Sequence, residues 1–215
     1  MFTMDAENDV LTESIQQNYD KFMEYVEQDA RAEQLKVLYK EFESELTTAP
    51  ASAKIQFHNC FPGGYLDHVV RVIDTSLKMA SLYKTVGGTI DFTKQELIFA
   101  AMNHDLGKLG LENEPYYVRQ DSDWHRKRGE LYKYNDNLQY FAAPERGLML
   151  LQKYGIQVTQ NEWLGIKLSD GNYDEGNRKY LQGNGMKITL PYIIHWADHM
   201  ATKVEKDKNT IDFSF

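Results

Sequence analysis

Thr93-Lys94-Gln95-Glu96-Leu97-Ile98-Phe99-Ala100-Ala101-Met102-Asn103-His104-Asp105-Leu106-Gly107-Lys108 is the stretch whose reading decides the fold. It opens on Thr93 with Glu96 three residues later, the reciprocal pattern by which a hydroxyl and a carboxylate satisfy the first free amides of a helix. The apolar run Leu97 to Ala101 follows, and predicts a helix that carries His104 and Asp105 to its C-terminal end. An adjacent imidazole and carboxylate supply two metal ligands of hard to borderline character, Gly107 turns the chain, and Lys108 adds a cation. A helix end with its ordinary glycine and lysine reads the same way, so the pair needs support from elsewhere.

Outward from this helix the pattern stays helical. Leu11, Ile15, Tyr19, Phe22, Met23 and Val26, then Leu35, Leu38, Tyr39 and Phe42, predict two helices between about Val10 and Thr47, packed as a lid or buttress. Thr47 to Lys54 is a small, polar connector. After Pro62-Gly63-Gly64 a long helix is expected from about Tyr65 to Tyr83, burying Leu66, Val69, Val70, Ile73, Leu77 and Ala80, with Gly87-Gly88 beyond its end. Glu112 to Ala143 dissolves into tyrosines, asparagines and charges, as an irregular binding loop or lid does. Pro144 opens a helix to about Tyr154, closed by Gly155. Thr159-Gln160-Asn161-Glu162 caps another, which stops near Ser169-Asp170-Gly171, and Pro191 precedes a last helix with His195, Asp198 and His199. No β-hairpin or internal repeat stands out, and the expected class is all-α.

The chain has 215 residues, 42% apolar and 26% charged, which fits one globular domain with helical elaborations. No stretch approaches the ~18 consecutive apolar residues of a membrane span, and Met1 to Val10 is acidic without an apolar leader, so the expected location is the cytoplasm. The single cysteine, Cys60, agrees with a reducing compartment and reads as a small buried hydrophobe. A formal net charge of −8 repels a long polyanion while leaving room for a local phosphate site, which favours a small phosphorylated ligand over long nucleic acid.

His58-Asn59-Cys60-Phe61-Pro62-Gly63-Gly64-Tyr65-Leu66-Asp67-His68 sets a glycine pair before a helix whose early turn ends in histidine, and the last helix contributes Ile193-Ile194-His195-Trp196-Ala197-Asp198-His199. With His104-Asp105 these segments resemble the HD-domain superfamily of metal-dependent phosphohydrolases. Asp123-Trp124-His125-Arg126-Lys127-Arg128-Gly129-Glu130-Leu131-Tyr132, Pro144-Glu145-Arg146 and Leu151-Gln152-Lys153-Tyr154-Gly155-Ile156 extend the likeness to a bacterial and phage hydrolase-like branch. The resemblance covers about residues 57–205, the expected metal-binding core of a single domain over 1–215, with 1–50 as an N-terminal helical extension. It implies an HD-domain-like helical bundle in which His68, His104, Asp105 and Asp198 hold one divalent ion (Mn, Mg, Fe, Co, Ni or Zn). Where the related branch carries a further histidine this chain has Ser169, a poor ligand by comparison, so the resemblance leaves a second metal open.

Two imidazoles and two carboxylates leave positions open on an octahedral ion for water and a phosphoryl oxygen. Asp105 and Asp198 would also orient the nucleophilic water, and Lys108 would stabilise the negative charge that develops. The candidates for substrate binding are His58, which matches a family position upstream of the glycine pair; His125, Arg126 and Arg128 in the densest basic run; Arg146; and His195, one turn before Asp198. Each has an ordinary alternative, a packed histidine or a solvated charged segment. Arg178 and Lys179 are further phosphate-clamp candidates. Tyr116, Tyr117, Tyr132, Tyr134 and Trp124 either stack on a base or fill the loop's own core.

The leading expectation is an enzyme that hydrolyses a small phosphorylated substrate, favouring a nucleotide. The second is a metal-stabilised nucleotide-binding or regulatory module with little turnover. An RNA exonuclease is disfavoured by the net charge and by the lack of an oligonucleotide-binding barrel.

Overall fold

The computed structural model describes residues 4–208, with side chains over 11–207. The outer ends of the single-domain reading, and the acidic start at Met1 to Val10, fall wholly or partly outside these described residues. The protein is all-α, with ten α-helices and two short strands among the described residues. None of these helices is long and apolar enough to cross a membrane.

The N-terminal region holds three helices where periodicity predicts two: α1 (Met4–Glu27), α2 (Ala32–Glu41) and α3 (Glu43–Thr48). The turn after α1 is built on Arg31, whose guanidinium meets Asp29 and Glu162 and lies 3.6 Å from the Phe99 ring centre. Phe42 leaves helical geometry with its ring fully packed, and no glycine or proline marks that break in the sequence. Phe22, Leu38, Phe42 and Leu46 join the main core, so these helices form a buttress continuous with the rest.

Helix α4 (Gly64–Thr85) is the central element, packed against α1, α5 (Lys94–Asn103) and α10 (Leu190–Lys208). Its start depends on the glycine pair. Gly63 has φ +80°, and a Cβ on Gly64 would lie 2.1 Å from the carbonyl oxygen of Asn59. Asn59 is itself left-handed and donates to Asp67 at 2.8 Å, which locks the first turn of α4 to the preceding loop. Thr93 and Glu96 form the reciprocal cap of α5, and the helix ends at Asn103 with His104 at its C-cap.

The region expected to be irregular contains a hairpin. Strand β1 (Tyr117–Arg119) pairs antiparallel with β2 (Tyr132–Tyr134), and α6 (Asp123–Lys127) fills the connection. Strands of three residues are too short to show alternation, and only their tyrosine and valine content hints at them. Arg146, at the start of α7 (Ala143–Lys153), is buried and donates to the Gln139 carbonyl at 2.8 Å and the Tyr134 hydroxyl at 3.2 Å. It pins the hairpin to the bundle. Helix α8 (Gln160–Lys167) has the reciprocal cap at Thr159, and short turns with α9 (Arg178–Leu181) lead into α10.

Replacing Gly64 with alanine is expected to destabilise the fold by about 1–3 kcal/mol through the clash with Asn59, whereas Gly185→Ala, whose Cβ meets nothing within 4 Å, costs little. Urea unfolding of both variants checks this, and equal midpoints would contradict it.

Candidate metal centre

Three elements deliver the candidate ligands. The second turn of α4 carries His68, the end of α5 carries His104 and Asp105, and the middle of α10 carries Asp198. His68 Nε2 lies 3.4 Å from His104 Nε2, 3.7 Å from Asp105 Oδ2 and 3.2 Å from Asp198 Oδ1. His104 Nε2 lies 3.6 Å from Asp105 Oδ2 and 4.0 Å from Asp198 Oδ1. An ion bonded to nitrogen and oxygen at about 2.1 Å holds adjacent ligand atoms roughly 3.0–3.4 Å apart. His68, His104 and Asp105 form one group whose donor atoms could share such an ion, and Asp198 approaches both imidazoles beside it.

The donor chemistry fits as well. His104 donates from Nδ1 to the Ala101 carbonyl at 2.8 Å, and His68 from Nδ1 to the Glu205 carboxylate at 3.0 Å. Both partners accept only, so each imidazole turns its Nε2 towards the cluster, where loss of the proton would leave a lone pair for an ion, the arrangement that orients metal-binding histidines. Burial alone would lower the His68 pKa, but the Glu205 and Asp198 carboxylates outweigh it and raise it to about 10. A cation is therefore favoured at this point, whether a proton on His68 or an ion among the four groups. Burial works against the charged form of Asp105 too, and Lys108, His104 and His68 overcome it to hold that carboxyl well below its ordinary range. The same competition, burial against a hydrogen bond from His68, lowers Asp198.

A second group of possible ligands, His58, His68 and Glu205, lies behind the first. Arg71 already serves its carboxylate, donating from Nε to Glu205 Oε1 at 3.0 Å, so a guanidinium supplies the positive charge there. Ser169 contributes its backbone instead of its side chain, since the carbonyl accepts from His195 Nδ1 at 2.8 Å.

The cluster opens on a cavity of about 590 Å³. Asp105, Asp198 and Lys108 line it, with Lys108 Nζ 2.7 Å from Asp105 Oδ2 and 3.2 Å from the Ala51 carbonyl. His58 and His195 line it too. The His58 ring sits 4.8 Å from that of His68, and burial, then the His68 charge, push its pKa down to about 3, so it is neutral. Its Nε2 is buried without a partner in the chain. Gly171, with φ +54°, makes room for His195: a Cβ there would meet the imidazole at 2.3 Å.

Other expected substrate contacts are engaged elsewhere, and none of them lines the cavity. Ser122 caps α6 and turns its basic run outward: His125 meets Glu130 at 2.8 Å, Arg126 bonds the Gln120 carbonyl and Asp123, and Arg128 lies 4.4 Å from the Trp124 ring centre. Arg146 serves the hairpin, as described above. Arg178 pairs with Glu175 at 3.7 Å, and Lys179 lies over Tyr180. Of the aromatic candidates Tyr117 alone reaches the cavity wall.

Glu205 and Asp170 are the residues that motif reading missed. Glu205 stands seven residues after Asp198, two helical turns on the same face, which was the available signal. Asp170 lines the cavity, and desolvation followed by the Asp105 charge raises its pKa. No family model matches the chain, and no curated protein or solved structure matches it either.

Glu205→Gln keeps the shape of the His68 partner but removes its charge, and is expected to weaken divalent-metal binding by about 10–100-fold. Metal titration followed by calorimetry reads this directly. Unchanged affinity would show that Glu205 does not support the site.

Proposed function

We propose that this protein is a single-metal phosphohydrolase of the HD-domain kind, acting on a small phosphorylated substrate, with a nucleotide favoured. The observation that carries this reading is the approach of His68 and His104 to Asp105 and Asp198 beside Lys108, with the two carboxylates and the lysine in the wall of a cavity. Supporting it are the sequence resemblance and a cavity whose volume falls within the ~300–1,000 Å³ usual for small-molecule sites.

Bound among these residues, a divalent ion supplies Lewis acidity towards water and a phosphoryl oxygen. The chain's own groups do the positioning. Asp105 and Asp198 stay ionised, hold the ion and present carboxylate oxygens that accept a hydrogen bond from the attacking water. Lys108, kept charged by Asp105 against its burial, lines the same cavity and stabilises negative charge growing on the phosphoryl group. His58, held neutral by burial, and His195 both line the space with imidazoles suited to hydrogen bonds with the substrate's oxygens.

Purified protein supplied with Mn, Mg, Fe, Co, Ni or Zn is expected to release phosphate from members of a nucleotide and sugar-phosphate panel. His104→Ala and Asp198→Asn should each lower that rate by about a hundredfold or more. Tight binding of a nucleotide without release under any metal would favour the regulatory-module alternative. A His104→Ala protein that keeps both its metal and its turnover would contradict the proposed role of the cluster.

A further inference from the structure

Asp105 and Asp198 of the candidate metal cluster line the cavity together with Lys108, and Asp170, also in its wall, feels the charge of all three. Lys203 and Lys206, from the last turns of α10, line it as well. Asp198, Thr202, Lys203 and Lys206 all line the space, so one face of this helix runs along it. At a rise of about 1.5 Å per residue, Lys203 and Lys206 lie about 7.5 Å and about 12 Å beyond Asp198 along the helix axis.

The acid between these lysines is directed elsewhere. Glu205 is buried, with its carboxylate against His68 and Arg71, and Asp207 is not part of the cavity wall. Lysines in a last helical turn offset the helix dipole on any face they occupy. Placement of these two on the face that also carries a metal ligand is what a second binding function requires, in a chain whose net charge is −8. Lysine is a mobile point charge suited to a phosphate that sits near the solvent.

The geometry points to a second anion subsite formed by Lys203 and Lys206, and so to a substrate with two separated phosphate groups, one at the metal ligands and one at the lysines. The identity of the first group rests on the phosphohydrolase reading above; the second rests on the cavity and its charges. Backbone positions about 7.5–12 Å apart along α10 suit the two phosphates of a bisphosphorylated nucleoside or sugar, carried on different atoms of its scaffold, better than the adjoining phosphates of a diphosphate.

Two matched pairs test this on the full chain loaded with Mn: adenosine 5′-monophosphate against adenosine 3′,5′-bisphosphate, and fructose 6-phosphate against fructose 1,6-bisphosphate. Affinity is read by calorimetry, independently of turnover. In at least one pair the bisphosphate should bind about tenfold more tightly, the scale of one charge-assisted contact. The Lys203→Ala/Lys206→Ala protein should bring that ratio close to one. Both lysines are exposed, and a thermal melt verifies that the double variant is folded. Ratios near one in both pairs, no binding of either bisphosphate, or a preference that survives the double substitution would each overturn the subsite. Phosphate release from the same samples separates the two claims. Release without preference leaves the hydrolase standing and removes the subsite, and preference without release does the reverse.

Discussion

In the interior of this bundle the imidazoles of His68 and His104 each lie within 4.0 Å of both the Asp105 and the Asp198 carboxylates. Concentrating like charges away from water is costly unless cations or hydrogen bonds answer them. The surrounding structure can be understood as that answer. Lys108 meets Asp105, Glu205 steadies His68, Arg71 in turn neutralises Glu205, and the Ala101 carbonyl fixes the His104 ring. Each supporting group leaves the inward-facing atom of its partner directed at the same small volume.

Local backbone chemistry delivers the cluster. The left-handed Gly63 and the bare Gly64 let the loop at Asn59 press against the first turn of α4, which sets where His68 falls. The Thr93 cap begins α5 at the position that places His104 at its end, where the helix stops and Asp105 can turn towards α10. These are short-range constraints, written in a few residues each, and the apolar core around α4 makes them agree. Glycine at 171 likewise leaves room for the His195 imidazole.

That division explains what could be read from the chain alone. The apolar periodicity of α4 and α10 and the reciprocal caps of α5 and α8 made these helices legible, because propensity and packing point the same way. The four proposed ligands come from the resemblance, and the structure sets both imidazoles within 4.0 Å of both carboxylates. The hairpin at Tyr117 and Tyr132 was not, since three-residue strands have no period to detect. Nor was the direction of the basic run from His125 to Arg128: a charge carries no information about which way a loop will face, and Ser122 turns this one outward. Arg146 was misjudged for the same reason, because an arginine that staples a hairpin and one that grips a phosphate look alike in sequence. Glu205 and the cavity-facing lysines of α10 share a face with Asp198 by helical spacing, a pattern that becomes telling only once the helix is known to border a cavity.

The most direct test of the central claim is anomalous diffraction from crystals of the full chain grown with manganese. One strong peak is predicted, with bonds of about 2.1–2.3 Å to the Nε2 atoms of His68 and His104 and to oxygens of Asp105 and Asp198. A peak bound by other residues, or none between these four at saturating metal, would contradict the account.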